Sequence, residues 1–150
     1  MKIEEEIHGR FRNEFHKARI NIYYTNNYLT YRFLSLMKKY GLTPVQYNVL
    51  RILRSQYPGA VSIQYIRERL LDSRPDVSRL IDRLYARKLI ARVENKDDRR
   101  VKDIRIEKNG LELIAGMDHC EQELDHPMSN LTEKEAIQLN TLLDKIRSSG

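Results

Sequence analysis

At 150 residues, with 41 % hydrophobic and 32 % charged side chains, the chain can bury one real core, and no apolar run approaches the length that crosses a bilayer. The N-terminal Met1-Lys2-Ile3-Glu4-Glu5-Glu6 has no apolar secretion signal and the single cysteine, Cys120, has no internal disulfide partner, so a cytoplasmic protein is expected. The net charge of +6 is concentrated: residues 42–110 hold 16 Lys and Arg against 9 Asp and Glu, the rest 11 against 12, which favours a polyanionic partner such as nucleic acid.

Residues 3–39 contain no proline and one glycine, Gly9. Ile3, Ile7, Phe11 and Phe15 recur every fourth residue, followed less regularly by Ile22, Leu29, Phe33 and Leu36, which predicts one long helix with a break near Gly9. Its first stripe precedes any neighbouring core element, so a second copy of the chain is the cheapest cover for it. Gly41 then ends the helix, and Thr43-Pro44-Val45-Gln46 opens another, with Thr43 as N-cap, Pro44 at the first helical position and Gln46 completing a capping box. Val45, Val49, Ile52 and Leu53 predict its buried stripe, and Tyr57-Pro58-Gly59 stops it. Ser62 is placed to cap a short helix that turns Ile63, Ile66 and Leu70 inward.

Leu71-Asp72-Ser73 reads as a turn, and the sharpest pattern of the chain follows. Val77, Leu80, Ile81 and Leu84 fall at i, i+3, i+4 and i+7, the stripe of a helix packed on a core. Arg79 and Asp82 then point outward, with Ser78 and Arg83 on the flanks. Ser73 is expected as the N-cap, with Asp76 in the capping-box place and Pro75 in the first turn. A short helix with a buried back and a cationic front suits a DNA major groove, and with its predecessor it makes a helix-turn-helix. A solvated face, or an ordinary helical hairpin, has the same pattern and stays open at this point.

The period changes to two after Leu89. Ile90 to Glu94 and Val101 to Ile106 alternate around the polar tip Asn95-Lys96-Asp97-Asp98-Arg99-Arg100, with Ile104 and Ile106 on the buried face, which predicts a β-hairpin. A hairpin directly after such a helix is a wing, and its Lys96, Arg99, Arg100 and Lys102 would reach phosphates or a narrow minor groove. Asp98 is better suited to pairing an arginine so that the guanidinium is held in one pose. Beyond Lys108-Asn109-Gly110, Leu113, Ile114, Met117, Cys120, Glu121 and Leu124 predict one helix ending near His126-Pro127. Thr132 and Glu135 form a capping box for a last helix striped by Ala136, Leu139, Leu142, Leu143 and Ile146.

Leu42-Thr43-Pro44-Val45-Gln46-Tyr47-Asn48-Val49-Leu50, Val77-Ser78-Arg79-Leu80-Ile81-Asp82-Arg83-Leu84, Asp97-Asp98-Arg99-Arg100 and Ile106-Glu107-Lys108-Asn109-Gly110-Leu111, in this order, resemble the MarR family of bacterial winged-helix regulators over nearly the whole chain. The family's Asp-x-Arg wing motif is matched by Asp98 and Arg100. The resemblance implies a mainly α fold with a small β-hairpin wing: a winged helix-turn-helix lobe over 42–108, flanked by dimerisation helices over 1–40 and 109–150. It implies a cytoplasmic homodimer whose interface includes Ile3, Ile7, Phe11, Phe15, Leu139, Leu142, Leu143 and Ile146. It places Ser73, Arg74, Pro75, Asp76, Ser78, Arg79 and Arg83 at the major groove of a pseudo-palindromic double-stranded DNA operator, and Arg100 in the minor groove. Arg79 or Arg74 suits bidentate contact to guanine, whereas Arg83, Arg87, Lys96 and Lys102 suit phosphates. Two departures stand out. The usual glycine before the wing is Lys88, which leaves a different helix ending open, and Lys108-Asn109-Gly110 replaces the usual Thr-x-x-Gly.

Similar proteins are commonly repressors released by small, often phenolic ligands or by oxidation. Tyr24, Tyr28 and Tyr31 share one side of the first helix, near Tyr23, and with Tyr47 they would line a pocket for a small aromatic effector, or else fill the core or the dimer interface. Cys120 lies in an apolar stripe and reads as a buried, inert thiol. No metal or other cofactor is expected, since His8, His16, His119 and His126 lack metal-ligand spacing. No phosphate loop, paired metal motif or nucleophile triad points to an enzyme. The competing reading is a winged-helix module for non-specific nucleic-acid or protein binding without ligand control.

Overall fold

The computed structural model describes residues 2–71 and 76–148, in two compact units, Met1–Ala115 and Gly116–Gly150. The first unit holds α1 (Ile3–Ile7), α2 (Glu14–Lys38), α3 (Pro44–Ser55), α4 (Ile63–Arg67), α5 (Val77–Ala86), the antiparallel strands β1 (Ile90–Glu94) and β2 (Lys102–Ile106), and α6 (Lys108–Ala115). Among the described residues no helix is long and apolar enough to cross a membrane.

The break expected near Gly9 separates α1 from α2. His8 takes a left-handed φ of 47°, and Asn13 restarts the helix by accepting the His16 N–H at 2.8 Å. The four-residue apolar repeat therefore does not form one stripe. Phe11 lies in the break with its ring edge-on to His16, Phe15 is 87 % exposed, and only Ile3 of the four is buried. A Glu4–Lys17 ion pair and a 2.8 Å hydrogen bond from the Tyr24 hydroxyl to Glu6 tie α1 to α2.

Gly41 ends α2 as expected. At φ 64°, its N–H returns to Lys38 O and that of Leu42 to Met37 O, the Schellman pattern. The Thr43–Gln46 capping box opens α3, with bonds of 3.2 and 3.0 Å. The inner face of α3 is Gln46, Tyr47, Val49, Leu50 and Leu53, wider than the stripe read through Val45 and Ile52. The reason is its position: α3 packs on α2, α6 and β2, and a helix covered on several sides buries a broader arc. Ser62 caps α4, which buries Ile66 and packs on α5.

The start of α5 differs from the sequence expectation. Asp76, not Ser73, is its N-cap, the carboxylate accepting the Arg79 N–H at 3.2 Å. Aspartate caps as well as serine does, and the apolar stripe begins directly after it at Val77. At the other end α5 stops as if a glycine were present. Lys88 takes φ 58°, its N–H bonds Tyr85 O at 2.9 Å, and the Leu89 N–H bonds Leu84 O at 3.1 Å. A left-handed lysine is strained by about 1 kcal/mol. Lys88→Gly is therefore expected to raise stability by about 1 kcal/mol and the melting temperature by roughly 2–4 °C. A melting curve that stays in place or moves down would mean that contacts of the lysine side chain outweigh the backbone strain.

The strands pair from Ile90↔Ile106 to Glu94↔Lys102. Ile90, Ile104 and Ile106 are buried at the base of the hairpin, each contributing about 1.5–3 kcal/mol relative to exposure. Ile104 also exchanges both backbone hydrogen bonds with Val61, at 2.9 and 2.7 Å, which fastens the chain before α4 to the wing.

The second unit contains α7 (Cys120–Asp125), a 3-10 helix (His126–Asn130) and α8 (Glu133–Arg147). The single helix expected across Leu113–Leu124 is interrupted by a turn at 116–119. Gly116 lies there, and a glycine inside a helix costs about 1 kcal/mol relative to alanine. The Thr132–Glu135 capping box opens α8 as expected, and α8 has no buried residue: Leu139, Leu142 and Ile146 are exposed.

Candidate nucleic-acid interface

With Val77, Leu80, Ile81 and Leu84 buried, α5 exposes Ser78, Arg79, Asp82 and Arg83, the division its sequence pattern predicts. Asp76 sits at the helix tip as its cap. Ser73, Arg74 and Pro75, expected on the same surface, lie outside the described residues. Asp82 is not simply outward. It pairs with Arg92 of β1, whose guanidinium also stands 4.9 Å from the centre of the Tyr85 ring. Arg92 thus joins two successive turns of α5 to the wing, a role the sequence reading missed. Its signal was the i, i+3 placement of Asp82 and Tyr85 on one flank of the helix.

The wing tip is built by side chains that accept backbone N–H groups. Asn95 Oδ1 takes those of Asp97 and Asp98 at 2.9 and 3.0 Å, and Asp98 Oδ1 takes that of Arg100 at 3.0 Å. Asp98 then receives Arg100 Nε and Nη2, each at 3.0 Å, in a two-pronged pair. This is the arginine-holding role expected for it. The guanidinium remains 89 % exposed, with its other N–H donors free to face a ligand. The Arg100 side chain first, and its backbone N–H second, hold the Asp98 carboxyl below the usual carboxylate range; the same hydrogen bond raises the Arg100 pKa. Lys96 and Arg99 are exposed beside it.

Two of the expected phosphate contacts also have partners within the chain. Arg87 donates to Gly41 O at 2.7 Å and so braces the end of α2, a contact between residues too far apart in sequence to be read from spacing. Lys102 pairs with Glu94 across the hairpin at 3.2 Å, which shares its charge. The tyrosines also divide. Tyr24, Tyr28 and Tyr31 are exposed on α2, whereas Tyr47 is buried with its ring edge-on to Phe33, because the inner arc of α3 includes it. Tyr47 is therefore packed in the core, the second of the two places the sequence left open for it. Two clefts, of about 450 and 400 Å³, lie elsewhere: one beside Tyr85, Lys88 and Asn109, the other between Ser62, Ser78, Asp82 and Arg92. Cys120 is buried, and among the described residues no group of three or more His, Cys, Asp or Glu could hold a metal ion.

A helix-turn-helix followed by a paired hairpin, with exposed arginines on both, defines a winged-helix protein. Residues 40–101 match the model of the MarR family. The chain is 33 % identical over 121 residues to the HTH-type transcriptional repressor MdtR of Bacillus subtilis, covering 78 % of this chain and 75 % of that one. The fold is shared with the Staphylococcus aureus MepR–DNA complex, at a TM-score of 0.78 and 23 % identity, covering 88 % of this chain and 97 % of that one. It is shared too with Bordetella bronchiseptica BpsR, whose DNA binding is described as regulated by 6-hydroxynicotinic acid, at 0.75 and 24 %, covering 93 % and 98 %. The chain belongs to the MarR family: it is a DNA-binding transcriptional regulator and not an enzyme.

Proposed function

We propose that the protein is a homodimeric repressor that binds a pseudo-palindromic operator and leaves it on binding a small aromatic molecule. The observation that carries this reading is the combination, in one unit, of the exposed Arg79–Arg83 face of α5 with the Arg100 guanidinium held outward by Asp98. Arg79 serves for base edges in the major groove, with Ser78 beside it; the same role is proposed for Ser73, Arg74 and Pro75 from their match to the family pattern alone. Arg83, Lys96 and Arg99 serve for phosphates, and Arg100 for the flanking minor groove, where A·T-rich DNA concentrates negative potential.

Exposed apolar side chains support the second copy. Phe15 and Leu34 on α2, and Leu139, Leu142 and Ile146 on α8, are large apolar side chains left open to solvent, which a partner copy would cover. In this reading 1–40 and 109–150 hold the dimer together, with Ile3, Ile7, Phe11 and Leu143 contributing, and 42–108 binds DNA. The likeness to the repressor MdtR supports repression, and the regulation of BpsR by 6-hydroxynicotinic acid supports an aromatic effector, for which Tyr24, Tyr28 and Tyr31 supply exposed rings.

Selection of bound duplexes from a random DNA pool is expected to yield two half-sites roughly one helical turn, about 34 Å, apart. Sedimentation should show a dimer, and titration with phenolic acids should release the selected duplex. Equal affinity for selected and scrambled duplexes would favour a module for non-specific nucleic-acid or protein binding without ligand control. A monomer in solution would remove the paired half-sites.

A further inference from the structure

The direction in which Arg100 points is set by a relay of hydrogen bonds that starts at Asp103 on β2 and passes through Asn95 on the other arm of the hairpin. Asp98 grips the guanidinium, and Asn95 Oδ1 fixes Asp98 by accepting its N–H together with that of Asp97. Asn95 is itself oriented, because its Nδ2 donates to Asp103 Oδ2 at 2.9 Å. The register pairs Asp103 with Val93, which makes Asn95 and Asp103 diagonal neighbours on one face of the hairpin. A carboxylate only accepts hydrogen bonds, so Asp103 can face only the NH2 end of the amide. That choice turns the Asn95 carbonyl toward the two N–H groups of the turn.

Asp103 is an unfavourable residue for this strand on stability grounds alone. Its Oδ1 is buried with no hydrogen-bond partner among the described residues, and a buried unpaired polar atom is destabilising. A β-branched side chain would suit a half-buried strand position better. The penalty has a purpose if Asp103 orients Asn95.

We propose that Asn95 and Asp103 are positioning residues for Arg100: together they shape the turn that aims the guanidinium at DNA, and they act on affinity only through it. The inference rests on Arg100 being a DNA contact. Affinities of the full-length chain, Asn95→Ala, Arg100→Ala and the double variant are measured on a duplex selected by the wild-type protein. Asn95→Ala is expected to weaken binding about tenfold, and to have no further effect once Arg100 is alanine. An equal loss in both backgrounds overturns the inference and leaves the role of Arg100 intact. No loss from Arg100→Ala overturns both.

A charge-conserving exchange separates positioning from general loosening of the wing. Asn95→Asp puts two carboxylates face to face and is expected to lose the same factor of about ten. Adding Asp103→Asn restores a donor opposite an acceptor and is expected to return wild-type affinity. Failure to recover overturns the inference.

Discussion

Gly110→Ala is expected to cost about 3 kcal/mol of stability and to lower the melting temperature by roughly 6–12 °C. Gly110 lies in the first turn of α6, where the chain leaves the wing. A Cβ there would stand 2.3 Å from Leu89 O and 2.8 Å from Ile106 Cγ1. Neither neighbour can yield easily. Leu89 O accepts the Glu107 N–H at 3.0 Å, Leu89 N–H closes the turn that ends α5, and Ile106 is buried in the core. The added methyl would have to pry α6 away from the junction of α5 and the wing, losing that hydrogen bond and the packing of α6 on α3. Gly9→Ala is the control, since its Cβ meets only the flexible Ile7 side chain and the Ile7 carbonyl at 3.5 Å and beyond. Thermal unfolding followed by circular dichroism reads both; equal curves for the two variants would mean that α6 can shift without loss and that the close approach is not required.

Features settled within one turn of chain were legible in the sequence. The boxes at Thr43–Gln46 and Thr132–Glu135, the Ser62 cap and the left-handed Gly41 each depend on residues at most four apart, and each formed as expected. So did the Asp98–Arg100 pair, whose partners are two residues apart. The inner face of α5 was equally legible, since a regular stripe fixes which residues turn inward. The cap of α5 was misplaced: Ser73 was expected with Asp76 as its capping-box partner, whereas Asp76 is itself the cap, because its carboxylate accepts the Arg79 N–H. Contacts set by the path between elements were missed: Arg87 with Gly41 and Val61 with Ile104 left no trace in spacing, and Asp82 with Arg92 left only the placement of Asp82 and Tyr85 on one flank of α5. The burial of Tyr47 was one of two readings left open by the sequence, and it depends on how many neighbours cover α3. Lys88 shows the opposite case, a residue against local preference held left-handed by the two hydrogen bonds that close α5.

Arg100→Ala is expected to weaken binding to a selected operator by roughly a hundredfold while leaving the melting curve in place. The side chain is 89 % exposed and buries nothing, and its partner Asp98 keeps the backbone hydrogen bond that shapes the turn, so the fold does not depend on the guanidinium. What is lost is a cation already held in the binding pose, and in the proposed dimer it is lost twice. The loss should be largest on duplexes with A·T-rich flanks and shrink when the flanks are G·C-rich, because a narrow minor groove concentrates the potential that Arg100 meets. Arg83→Ala, a phosphate contact in this reading, should instead weaken all duplexes alike and flatten the salt dependence. The pH dependence follows from Asp98. Its carboxyl is held below the usual carboxylate range in the folded chain, so the pair is fully formed above the ordinary carboxylate pKa and is lost only as pH falls through the lowered value. The contribution of Arg100 to affinity should therefore be constant from neutral pH through weak acid, and a difference between wild type and Arg100→Ala that fades already between pH values of about 7 and 5 would show that another group holds the guanidinium. A variant that melts early in step with its lost affinity would make Arg100 a structural residue and leave the wing without its minor-groove contact.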